Sequence, residues 1–379
     1  MSAAIATLTA AFDDAFSTVG ASPERDRGVV VTSWPSVPVE IIRACRLRLV
    51  VATGRTAPTP LADTELEPGL FPGRVRQVVD AALAGRLAHV ACIVIPRTSD
   101  PDYKCFLYLR EFVRTGRAGA MARTELFDLL FSGDAHVRRY AIGRTGALLD
   151  MLSGASGHRP SDAELRKEID VTNTARAAAR RLVAFRRGVP RVSGTEAFPL
   201  LGAFWHVPPR EYASLANQAA EDLSSRPTLR GPRVLFAGGP VDGTALHAIV
   251  EARGAVVVDE FTAWTSAASG DGVRCEDDPI TALADAYRRE SIGPRLPAAT
   301  MHARFECALD HVDAVVVSLP DDDATFGWDY PALRDRLAAR GLPHVVLRTD
   351  GHRVLTSVDG ARLDSLIEAA DRRDRAQHG

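Results

Sequence analysis

Short, unbroken apolar runs alternate along this chain with longer stretches of helical periodicity. Residues 28–32 (GVVVT), 47–51 and 90–95 read as strands buried on both faces, because a strand covered on both sides loses the alternation of apolar and polar positions. Between them, 39–45 and 72–84 carry helical spacing, the latter ending at Gly85, and 105–115 continues in the same way. Residues 122–222 are predicted to be mostly helical. Within them Ser161 and Glu164 form a capping-box pattern that opens a helix to about Arg186, and Pro208–Pro209 start another through Leu223. The turn-rich stretch 224–232 (SSRPTLRGP) then reads as a linker.

A second alternating unit follows. Strands at 234–237 and 255–258 flank a helix at 244–253, and helices are expected at 280–289 and 303–311. Strands at 315–318 and 344–347 enclose a helix that Pro331 should start and Gly341 should stop, and 359–371 closes the chain. The pattern predicts an α/β protein with two Rossmann-like domains on parallel sheets. The first is residues 1–228 with a helical insertion at about 122–222, and the second is residues 229–379.

Composition narrows the function classes. The chain has 379 residues, 46% apolar and 25% charged, and a net charge of −2. That balance gives no reason to expect nucleic acid or an anionic membrane as a partner. Lys104 and Lys167 are the two lysines and neither lies in a Walker A pattern, which excludes a P-loop nucleotidase. Residues 3–16 read as an amphipathic helix and not a signal peptide, since Asp13 and Asp14 interrupt the apolar run and no basic segment precedes it. The five cysteines, Cys45, Cys92, Cys105, Cys275 and Cys307, are far apart and form no CxxC, so a reducing cytoplasm is expected and a disulfide framework is not. There is no HExxH and no GxSxG; His206, His302 and His311 are isolated, and Trp205-His206 suits packing better than chemistry.

Several segments, in order, resemble the 2-hydroxyacyl-CoA dehydratase / benzoyl-CoA reductase family. Val37-Pro38-Val39-Glu40-Ile41-Ile42 is similar to that family's opening after its first strand, and 165–187, with Asn173 and Arg176, to its long middle helix. Val192-Ser193-Gly194-Thr195-Glu196, the strand–glycine turn–helix–strand at 234–260, the helix at 278–287 and the last strands at 315–350 complete the likeness, which spans roughly 28–350. The resemblance implies paired subunits of two α/β domains, an acyl-CoA thioester substrate, and a 4Fe-4S cluster fed with a low-potential electron by an ATP-dependent activator. It also implies three cysteine ligands per subunit, whose soft thiolates hold and tune the iron.

The chain departs from that pattern at each ligand position. The first falls at 70–74 (LFPGR), the second at Ser99 in Pro96-Arg97-Thr98-Ser99-Asp100, and the third at Asp323. Serine and carboxylate oxygens are poor substitutes for thiolate. The expectation is therefore no metal or cofactor in this chain, with a 4Fe-4S cluster only in a related partner subunit of a heterodimer; a homodimer is the alternative. Ser99, Asp100, Asp323, Gly238 and Gly239 are the candidate substrate-binding residues, and Glu40 is the candidate catalytic one. Two readings of Glu40 stay open: a carboxylate favoured by the start of a helix, or one facing an acyl-CoA as the resemblance implies. Residues 238–243 (GGPVDG) depart from a dinucleotide fingerprint because Pro240 replaces its middle glycine, which leaves a structural turn or a CoA phosphate site at a helix start. The alternative function is an accessory or binding protein, or a cluster-independent enzyme, on the same scaffold.

Overall fold

The apolar runs form parallel strands whose side chains divide between the two faces of a sheet. The computed structural model describes residues 2–54, 58–67, 69–239, 243–276, 278–290, 295–319, 326–348 and 355–378. The chain begins α1 (Ala3–Asp14), α2 (Pro23–Asp26), β1 (Val29–Thr32), α3 (Val39–Ala44), β2 (Arg48–Val51), α4 (Pro60–Glu65), α5 (Gly73–Leu83), β3 (Cys92–Pro96), α6 (Asp100–Arg114) and β4 (Thr124–Phe127). Four helices follow: α7 (Ala135–Ser156), α8 (Asp162–Arg187), α9 (Gly194–Gly202) and α10 (Pro209–Ser224). The rest is β5 (Arg233–Gly238), α11 (Ala245–Glu251), β6 (Val256–Glu260), α12 (Ala263–Ser269), α13 (Pro279–Glu290), α14 (Ala298–Ala308), β7 (Ala314–Leu319), α15 (Phe326–Ala339), β8 (His344–Arg348) and α16 (Ser357–His378).

The strands make two parallel sheets with the same order, β2-β1-β3-β4 and β6-β5-β7-β8. In each, the chain moves to one side of its first strand and then crosses to the other. The order reverses between β1 and β3, and again between β5 and β7. A reversal of this kind leaves a crevice at the strands' carboxyl ends, where open α/β sheets bind ligands. The expected α/β class with Rossmann-like sheets is therefore what the chain adopts.

Both faces of each sheet are covered. Val29 and Val31 face one core and Val30 the other, which is why β1 reads as an unbroken apolar run. The largest core lies on one face of the first sheet and includes α1, α8 and α10. Trp264 of α12 and Leu283, Ala286 and Tyr287 of α13 also belong to it, so helices that follow the second sheet's β6 pack back on the first.

Several elements differ from the sequence pattern. β4 lies inside the stretch expected to be helical; it is a half-buried edge strand with one fully buried residue, Phe127, and pairs with β3 from Ile93↔Thr124 to Pro96↔Phe127. α2, α4 and α12 have no counterpart in the sequence reading. α15 starts at Phe326, so Pro331 lies inside the helix and does not begin it. The missing N–H at its sixth residue costs one helical bond near the start, where the first turn lacks such bonds in any case. The capping box at Ser161 and Glu164 is present.

His206 gives the fold an acid limit. Its residue is half-buried beside Phe12, yet both ring nitrogens are sealed and have no partner. Burial, aided by Arg48 and Arg43, pulls its pKa down to about 3. The folded value lies below the unfolded one, so the associated stability is complete above pH ~6.5 and drains away as pH falls toward the folded value. The loss should reach about 2 kcal/mol by pH 5. Urea unfolding at pH 7.5 and pH 5 should show His206→Leu losing that much less than the unsubstituted chain; equal losses would refute the assignment.

Candidate functional site

The reversal point of the first sheet is bridged by one carboxylate. β1 ends at Thr32 and β3 at Pro96, so Ser33 on one side and Thr98 and Ser99 on the other flank the crevice. Ser99 caps α6, and Asp102 stands in that helix's first turn, fully buried. Its Oδ1 accepts the Ser33 hydroxyl at 2.9 Å. Its Oδ2 accepts Thr98 at 2.5 Å and Ser99 at 2.7 Å. Three hydroxyl donors explain how a carboxylate can be sealed there.

Arg74, the second residue of α5, joins this cluster from the side. Its Nη2 is 3.5 Å from Asp102 Oδ2, and its guanidinium lies 4.8 Å from the Trp34 ring centroid. The first and second expected ligand positions thus do converge, 70–74 through Arg74 and Ser99 directly. They meet at a carboxylate, with a cation and a hydroxyl in place of thiols. Asp100 is exposed at the start of α6, outside this network.

The second sheet's reversal point is a backbone pinch. Gly238 ends β5 with φ +99°, and a Cβ there would lie 2.2 Å from the Ser318 carbonyl oxygen. The adjacent Gly239 N–H donates to that oxygen at 2.7 Å. Glycine is required where β5 and β7 approach so closely. Asp323 and residues 240–242, the middle of the glycine turn, lie outside the described residues.

Glu40 is fully buried in the first turn of α3, the helix that follows β1. Arg176 of α8 approaches Oε1 at 2.7 Å as an ion pair, off-line for a hydrogen bond. Tyr287 of α13 donates to Oε2 at 2.9 Å and accepts the Val39 N–H at 3.1 Å. Burial first, and the Glu40 charge second, push the Tyr287 phenol well above its ordinary range, so it stays a donor. Glu40 thereby ties together three helices distant in sequence.

Sequence reasoning did not anticipate a second charged cluster, at the end of β6. Arg186 donates to Glu260 at 2.6 Å and 3.0 Å, while Thr265 donates at 2.8 Å and His247 Nε2 lies 2.6 Å away. Burial alone would raise the Glu260 carboxyl, but Arg186 and the His247 hydrogen bond overcome it and hold it well below the usual carboxylate range. Asp102 did have a sequence signal, since Ser99 and Asp102 form a helix-start pattern of Ser-x-x-Asp. Ser33, Arg74 and Arg186–Glu260 had none, because only the fold brings them to their partners.

The donor set does not fit an iron–sulfur cluster. Cys45, Cys92 and Cys105 are buried, and burial pushes all three thiols up, Cys92 to about 12. Such thiols resist the deprotonation that metal ligation needs. Cys275 accepts from Arg166 at 3.2 Å and Cys307 is exposed. Among the described residues, no three His, Cys, Asp or Glu side chains are grouped to hold a metal. Among them also, no helix is long and apolar enough to cross a membrane.

The family described as HGD-D, 2-hydroxyglutaryl-CoA dehydratase, D-component, matches residues 36–369. No curated protein matches the chain. A match from just before α3 into α16 takes in all of the second sheet and every strand of the first but β1, and the chain belongs to the 2-hydroxyglutaryl-CoA dehydratase D-component family.

Proposed function

We propose that this chain is the cluster-free subunit of a 2-hydroxyacyl-CoA dehydratase-like system, and that it binds an acyl-CoA thioester beside a related, cluster-bearing subunit. The carrying observation is the first reversal point. Family membership supports a dehydratase-like subunit. Yet Ser99 spends its hydroxyl on Asp102, and the neighbouring expected ligand segment supplies Arg74. A buried cation beside a carboxylate already held by three hydroxyls is a poor host for soft iron.

What remains is a binding role for two carboxyl-end crevices, with Ser99 and its buried partners Ser33 and Asp102 at one and Gly238 and Gly239 at the other. Arg295 extends the first edge: it donates to the Arg97 carbonyl at 2.7 Å and pairs with Asp128 at 2.8 Å, beyond the ends of β3 and β4. Here the residues orient and exclude water, and any electron transfer belongs to the partner and its ATP-dependent activator. Glu40 acts in this reading as a positioning residue that fixes α3 behind β1.

The test is anaerobic reconstitution with iron and sulfide. The expected content is far below the about four irons per chain that a cubane cluster requires, and a full complement overturns the cluster-free reading. Co-purification adds the partner. A stable complex with a related cysteine-bearing subunit supports the reading, whereas a homo-oligomer that binds no acyl-CoA favours an accessory protein on the same scaffold.

A further inference from the structure

Arg74 is a charged residue of the first crevice whose chemistry is unfinished. It is 2% exposed, and its Nε and Nη1 have no hydrogen-bond partner. Its Nη2 makes only the 3.5 Å contact with Asp102, too long for a good hydrogen bond. Asp102 is satisfied without it, by Ser33, Thr98 and Ser99. Buried N–H groups nearly always have acceptors, and a guanidinium with two nitrogens unused is a marked exception. Trp34 covers the flat face of the group at 4.8 Å, which leaves the in-plane N–H directions for an acceptor.

The surroundings favour one kind of acceptor. Arg74 stands in the first turn of α5, an eleven-residue helix whose N-cap, Pro72, offers no side-chain cap. The partial positive charge of that helix start adds to the guanidinium and favours an anion. Asp102, 3.5 Å away, opposes a doubly charged group such as a phosphate monoester. A planar, singly charged carboxylate matches the arginine fork and limits the repulsion.

We propose that Arg74 receives a carboxylate, at the reversal point between β1 and β3, through its unpaired Nε and Nη1. Which molecule carries that carboxylate rests on the acyl-CoA reading above: it is then a free acid group on the acyl chain of the thioester. A free dicarboxylate is the other source of the same chemistry.

Calorimetric titration of the full chain with glutarate, glutaryl-CoA and butyryl-CoA tests this, in the unsubstituted protein and in Arg74→Gln. The expected result is that glutaryl-CoA binds at least about tenfold more tightly than butyryl-CoA, and that Arg74→Gln removes the difference, on the scale of one charge-assisted hydrogen bond. If both thioesters bind equally and the substitution changes neither, the carboxylate assignment is overturned while the acyl-CoA reading stands. Should glutarate bind in an Arg74-dependent way and neither thioester bind, Arg74 keeps its role and the acyl-CoA reading falls. Absence of all binding overturns both. If Arg74→Gln does not fold, Arg74→Lys takes its place; it keeps the charge but not the planar fork, and affinity equal to the unsubstituted chain's overturns the proposal.

Discussion

Replacing Glu260 by alanine is expected to lower the unfolding free energy by about 3–5 kcal/mol. The reason is what the substitution leaves behind. Arg186 is 1% exposed, and its Nη1 and Nη2 both donate to Glu260. Without that carboxylate the guanidinium keeps only the Val257 carbonyl at 3.2 Å, and the His247 and Thr265 donors lose their acceptor as well. An uncompensated buried charge costs more than the intact pair contributes, so removing one partner is far worse than replacing both. The pH dependence should change with it. The folded Glu260 carboxyl is held below its unfolded value, so its contribution is complete above the ordinary carboxylate range and drains away as pH falls below that range toward the depressed folded value. Glu260→Ala should therefore unfold more easily at pH 7 and show a flatter acid limb. Urea titrations at pH 7 and pH 3 measure both, and a neutral-pH loss below about 1 kcal/mol would mean that water replaces the carboxylate.

The physics of that cluster also explains what could be read in advance. The strands were legible because burial on both faces imposes unbroken runs such as Val29–Thr32, a constraint written locally. Long helices were legible through local signals, as with Ser161 and Glu164. β4 was not, because an edge strand with one fully buried side chain needs no apolar run. Pro331 misled because proline is tolerated at a helix start and, at lower frequency, shortly after one. The site divides in the same way. Ser99, Gly238 and Gly239 lie at strand ends, which sequence can place, and all three reach a reversal point. The charged partners are set by tertiary contact: Arg186 and Glu260 are 74 residues apart, and Glu40 and Tyr287 are 247 apart. Nothing in either local sequence names its partner, so Glu40 read equally well as a helix-start acid or a ligand-facing one.

A double-mutant cycle on Glu40 and Arg176 separates those two readings. Glu40 is fully buried, and Arg176 is nearly so. Glu40→Gln takes the opposing charge from the guanidinium, whose remaining contacts include a 3.3 Å bond to Asn173 and a 3.4 Å one to Tyr287. Arg176→Met strands the carboxylate, whose Oε2 keeps Tyr287 at 2.9 Å. Each single change is expected to cost about 3–5 kcal/mol. The pair together should cost less than the sum, since neither charge is then left alone; the coupling should exceed about 1 kcal/mol. Tyr287→Phe should cost less than either, about 1–3 kcal/mol, because it removes hydrogen bonds to Glu40 and Val39 but no charge. A positioning role predicts these stability losses, with acyl-CoA affinity falling only as the folded fraction falls. Additive single effects, or a Glu40→Gln protein of normal stability that no longer binds or turns over the thioester, would return Glu40 to the reacting groups. The expected coupling follows from where the residue sits: α3 alone cannot hold Glu40 buried, and the charge is tolerable there because α8 brings it an opposite charge and α13 a hydrogen-bond donor.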